Sequence, residues 1–135
     1  MKRKNDFLEV LLERLAKEEN LELLEAVSES HDAHYLSPNG VWIDAECPTT
    51  GDPDVDDWTD RIIGMTMRLI KARGWEYEFG MRYDGPYAHI TYETEFDFVT
   101  TEVYQSRDMS EATALLTAYL NSIKDVTIKE KSDGL

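Results

Sequence analysis

The sequence predicts an α+β fold: a three-stranded antiparallel sheet, extensible to four strands, with helices packed on it. The order read along the chain is α–α–β–α–β–β–β–α, the first strand being the weakest element. Three observations carry this reading. Residues 74–92 alternate apolar and polar side chains around an Asp84-Gly85 pair. Residues 54–73 repeat apolar side chains at helical spacing and run into Gly74. A second helical pattern, 108–123, follows a third strand-like run at 96–104.

In the alternating stretch, Trp75, Tyr77, Phe79, Met81 and Tyr83 share one face, with Glu76, Glu78, Gly80 and Arg82 on the other. After the turn, Ala88, Ile90 and Tyr92 oppose His89, Thr91 and Glu93. Asp-Gly suits a two-residue primed turn. That turn sets Met81 opposite Ala88, Phe79 opposite Ile90, and Glu76 opposite Glu93. A one-residue slip would bury polar groups. Pro86 lacks a donor, which predicts an edge or solvent-facing position.

The earlier elements are plainer. Leu8, Leu11, Leu12 and Leu15 predict a helix over 6–17. Leu21, Leu24 and Val27 predict another over about 20–29, separate from the first or continuous with it through a bend. Ser37-Pro38-Asn39-Gly40 is a turn, and Val41-Trp42-Ile43 a short strand. In 54–73 the stripe is Val55, Trp58, Ile62, Met65, Leu69 and Ala72, which Ile63, Thr66 and Ile70 widen. Gly64 interrupts it, as a close helix contact would require. Gly74 is the expected C-cap. Asp108 with Glu111 forms a capping-box pattern before the last helix. Val126-Thr127-Ile128 predicts an edge strand, followed by a frayed end.

At 135 residues the chain reads as one domain, with an acidic helical and loop region (1–53), a core (54–125) and a tail (126–135). The net charge is −14, and it is concentrated. No Lys or Arg lies between Lys17 and Arg61, while residues 18–60 hold 13 carboxylates. The other 92 residues carry 15 acids against 14 bases. Such a field opposes direct binding to nucleic acid and to anionic membranes. It favours a basic partner. With no apolar run of spanning length and no secretory leader, a cytoplasmic location is the expectation.

Motifs that would announce chemistry are weak. Asp52-Pro53-Asp54-Val55-Asp56 opens like a calcium loop, but its sixth position is Asp57 and its twelfth Ile63. His31 and His34 are three apart near Asp32, and Cys47 is the only thiol that could join them in a zinc shell of three or four ligands; plain loop histidines are the expectation. No metal or cofactor is expected. Cys47 has acidic neighbours, which favours an inert thiol. No nucleotide-binding or hydrolase signature is present.

The α–β–β–β–α order with a late Ser110-Glu111-Ala112 looks like a double-stranded-RNA-binding domain. Such domains grip phosphates at the start of the last helix, and here the first base in that helix is Lys124. RNA binding is therefore excluded. The stretch from about Asp54 to Asp125 is more similar to the phage ABA-sandwich domain family. Three features carry the resemblance: a helix entering Gly74-Trp75 and an aromatic strand, the Asp84-Gly85-Pro86-Tyr87-Ala88 hairpin, and the alanine-rich helix from Ala112 to Leu120. It implies a phage or prophage origin and a host-cell cytoplasmic location, and carries over no functional residue.

The leading expectation is a non-enzymatic accessory protein that binds a basic surface of a host protein, as an anti-defence inhibitor or nucleic-acid mimic would. A nucleic-acid-binding enzyme is the expected class of target. Its interaction surface would be Glu18, Glu22, Glu25, Glu29, Asp44, Glu46, Asp52, Asp54, Asp56, Asp57 and Asp60. A second reading is a small-ligand or nucleotide binder with a pocket drawn from Trp42, Glu78, Arg82, Tyr83, Tyr87, His89 and Arg107. A third is an enzyme using His89 among Glu78 and Glu93. Two free sheet edges leave a homodimer open.

Overall fold

Leucines at 8, 11, 12 and 15 define one face of α1 (Asp6–Glu18) and are all buried. In this computed structural model, residues 6–24, 33–37, 42–48 and 52–133 are described. After α1 come β1 (Glu22–Leu24), β2 (His34–Leu36), β3 (Trp42–Asp44), α2 (Asp52–Ala72), β4 (Glu76–Arg82), β5 (Gly85–Glu93), β6 (Phe98–Tyr104) and α3 (Glu111–Asp133). The class is α+β, with two three-stranded antiparallel sheets, β1-β2-β3 and β4-β5-β6. The chain forms two compact units, residues 1–65 and 66–135.

In the first unit, α1 does not lead into a second helix. Asn20 takes a left-handed conformation (φ 54°), and the Leu21 N–H reaches back to the Ala16 carbonyl at 2.8 Å. This is the 6→1 closure of a Schellman cap. The chain then enters β1 at the position where helical spacing predicted a helix over 20–29. Three-residue strands carry too little pattern to be seen in sequence. β1 pairs with β2 as Leu23 opposite Tyr35, and β2 with β3 as Tyr35 opposite Ile43. Ile43 is fully buried. The Trp58 indole N–H donates to the Asp44 carbonyl at 2.9 Å, tying α2 to β3. The Cys47 N–H donates to Glu9 Oε1 at 2.7 Å, tying the following loop to α1.

Along α2 the buried set is Trp58, Ile62, Met65, Thr66 and Ile70. The narrower stripe through Leu69 and Ala72 is corrected: Leu69 is half-buried and Ala72 exposed. An α-helix advances 3.6 residues per turn, so a strict seven-residue spacing drifts off the buried face. Gly64 also departs from expectation. A Cβ there would meet no described atom within 4 Å, so no close helix contact requires it. Gly74 caps α2 as the sequence implied, at φ 76°, with its N–H on Lys71 and that of Trp75 on Ile70.

The second unit is a meander with β5 at its centre. The hairpin register differs from the predicted one by two residues. Arg82 pairs with Gly85, Met81 with Pro86, Phe79 with Ala88, Tyr77 with Ile90 and Glu76 with Thr91. The turn residues are thus Tyr83 and Asp84, neither at positive φ. Because the shift is even, every side chain keeps its predicted face. Gly85 is needed inside the strand instead: its φ is +144°, and a Cβ would overlap the Gln105 carbonyl. Glu76 and Glu93 are consequently not opposite one another; Glu93 faces Phe98 on β6. Pro86 is corrected likewise. It is buried in the central strand, and its carbonyl accepts the Gln105 N–H at 3.0 Å.

Inward from this sheet, Ala88, Ile90, Tyr92 and Val103 are buried, and α3 packs across all three strands. Trp75 stacks near Tyr92 (5.1 Å between centroids) and meets Tyr119 edge-on (6.0 Å). The Arg73 guanidinium donates to the Tyr119 hydroxyl at 2.8 Å. Ser110, not Asp108, caps α3: its Oγ accepts the Thr113 N–H at 3.1 Å. Asp108 instead accepts from the Ser106 hydroxyl. The edge strand predicted at 126–128 is helix, since α3 continues to Asp133. Among the described residues no helix is long and apolar enough to cross a membrane.

Candidate interaction surfaces

The acidic interval contributes several outward carboxylates in the first unit. Glu18 at the end of α1, Glu22 on β1, Glu46 after β3, and Asp56, Asp57 and Asp60 on α2 are all exposed. Asp44 is half-buried at the end of β3. Asp57 Oδ2 pairs with Arg61 Nε one turn along α2, at 3.1 Å. Arg61 also lies over the Trp42 ring, 4.9 Å from its centroid. Glu25, Glu29 and His31 fall outside the described residues. So do the side chains of Asp52 and Asp54, whose backbones form the first turn of α2.

On the second unit, the outer sheet face builds a polar and aromatic cluster. Pleating sends alternate residues to one side. Across the strands this aligns Gly80, Tyr87 and Tyr104 in one row, and Glu78, His89 and Glu102 in the next. The Tyr87 hydroxyl donates to Glu78 Oε1 at 3.2 Å. His89 Nε2 and the Tyr104 hydroxyl are 3.0 Å apart. His89 Nδ1 stands 4.0 Å from Glu78 Oε2, an ion pair when the ring is protonated. The Arg82 guanidinium covers both tyrosines, 4.5 Å from the Tyr87 centroid and 5.3 Å from that of Tyr104. Loss of water first, then the Glu78 hydrogen bond and charge, push the Tyr87 phenol above its ordinary range.

Of the residues proposed for a pocket, Glu78, Arg82, Tyr87 and His89 meet in this cluster. Tyr83 is in the β4–β5 turn at 86% exposure, and Arg107 is exposed in the loop before α3. Trp42 belongs to the first unit and meets His34 and Arg61 there. Glu93 is two rows along β5 from His89, and Glu102 takes the place beside that histidine. Tyr104 and Gly80 are the members sequence reasoning missed. Tyr104 becomes legible only with the β5–β6 register. Gly80 leaves room for the Tyr87 ring, whose Cε1 would stand 3.3 Å from a Cβ at that position.

What the cluster offers is a hydrogen-bonded polar and aromatic face on the sheet. Among the described residues, no three His, Cys, Asp or Glu side chains gather as metal ligands. Comparisons with protein-family models, curated proteins and solved structures find no match for this chain.

Proposed function

We propose that this is a non-enzymatic interaction protein whose acidic first unit binds a basic surface on another protein. The observation that supports it is the outward placement of Glu18, Glu22, Glu46, Asp56, Asp57 and Asp60. They come from four separate points of the chain, in an interval without Lys or Arg. Exposed carboxylates contribute little to their own fold's stability. Together they create a long-range field that raises the encounter rate of a cationic partner. The partner class that fits is a host protein with a phosphate-binding surface, such as a nucleic-acid-binding enzyme, because such surfaces are built to meet regularly spaced anions. The phage-type part of this reading rests on the sequence resemblance over residues 54–125.

The test is a quantitative pull-down from host lysate, at low and high salt. It uses the wild type and a variant with Asp52, Asp54, Asp56, Asp57 and Asp60 changed to Asn. Specific capture at low salt that is lost in both other conditions is the expected result, since exposed charges are screened within about 10 Å at 0.1 M salt. Capture that ignores both salt and neutralisation rejects the proposal. A His89→Ala variant is expected to retain capture, which separates this reading from one in which His89 performs acid–base chemistry.

A further inference from the structure

The cap that ends α1 also shapes a cleft. Asn20 turns the chain, and the Leu21 N–H bond to Ala16 lays Leu21 back beside the last turn of α1. Leu23 on β1 and its cross-strand partner Tyr35 on β2 complete the wall. This cleft is open to solvent and has a volume of about 530 Å³. That lies within the roughly 300–1,000 Å³ range of small-molecule sites. Ala16, Leu21 and Leu23 give it an apolar part of its lining, and Leu23 is 48% exposed. Two exposed and opposite charges also line it, Glu13 and Lys17, one turn apart on α1.

We propose that this cleft binds a small zwitterion with an apolar side chain, of the class of a free amino acid or dipeptide. Lys17 meets the ligand's carboxylate, Glu13 its ammonium, and the side chain covers Leu21 and Leu23. Net charge selects this class. Lys17 is the last cation before the acidic interval, so a ligand with net negative charge enters against the local field. A singly charged cation would leave Lys17 unmet. The Tyr35 phenol is raised above its ordinary range, by burial first and by the Glu13 charge second. This inference stands apart from the acidic-surface proposal, since neither Glu13 nor Lys17 belongs to that surface.

Amide NMR titration of the full-length protein with L-leucine and L-phenylalanine tests it. Saturable shifts centred on Ala16, Leu21, Leu23 and Tyr35 are expected. N-acetyl-L-phenylalanine, which lacks the positive charge, and L-phenylalaninamide, which lacks the negative one, should each bind at least about tenfold more weakly. Lys17→Met and Glu13→Gln should reproduce those losses for the unblocked amino acids. If neither amino acid shifts these residues up to ~10 mM, or if the blocked derivatives bind equally well, the proposal fails.

Discussion

Gly85 and Gln105 approach so closely that there is no room for a side chain between them. A Cβ on residue 85 would overlap the Gln105 carbonyl oxygen and crowd the Ser106 carbonyl carbon. The obstruction is backbone, which cannot rotate away. The φ of +144° is itself one that only glycine adopts readily. Gly85→Ala should therefore destabilise the protein by about 3 kcal/mol or more, as strain and overpacking combine. Chemical denaturation measures it. A loss below about 1 kcal/mol would mean that β5 and the segment after β6 are not packed this way.

Gly64 should behave in the opposite sense. It lies inside α2, with no described atom within 4 Å of an added Cβ. Gly64→Ala keeps the helix and removes the entropy cost of glycine, a gain of up to about 1 kcal/mol. In a chain of this size that raises Tm by about 3–5 °C. Thermal unfolding followed by circular dichroism is sufficient, and a lower Tm would contradict the open surroundings described.

The cap of α3 is decided by two substitutions compared side by side. Ser110 accepts the Thr113 N–H and shares a 2.8 Å hydrogen bond with the Thr113 hydroxyl. Ser110→Ala should cost about 1 kcal/mol. Asp108→Ala, three residues before α3 begins, should cost less than half of that. If urea titration gives the reverse order, the capping box suggested by Asp108 and Glu111 is the real one.

Alkaline stability should depend on Tyr92. Its phenol is raised above the ordinary range by burial first and by the Asp125 charge second. A raised folded-state value means the folded protein holds this proton more tightly than the unfolded chain. The stability so contributed is complete below the unfolded value of about 10 and is lost as pH rises through the higher folded value. Tm should consequently fall above about pH 10, and Tyr92→Phe should flatten part of that fall. Melting curves across the alkaline range, for both proteins, provide the comparison.

Much of this architecture was legible in residue order because the signals were long or chemically specific. α2 and the part of α3 up to Ile123 repeat their periodicity several times over, while the rest of α3, read as a strand at 126–128, did not show it. Gly74 read as a cap, and its φ of 76° bears that out. Alternation also assigned faces in the hairpin correctly, although the pairing differed by two residues, because period-two patterning is blind to an even shift. What gathers on the outer sheet face was partly legible: Glu78, Arg82, Tyr87 and His89 were named together, but Tyr104 depends on a register that its own strand does not encode.

By itself the sequence determined the class, the two long helices, the three long strands and the location of the excess charge. Each follows from local periodicity or a direct count. The tertiary structure alone decided that residues 22–24 are strand, that Gly85 serves a contact with Gln105 and not the turn, and that Tyr87 and Tyr104 share Arg82. Those outcomes rest on meetings between residues far apart in the chain. Local propensity is worth tenths of a kcal/mol per residue, and packing across such distances overrides it.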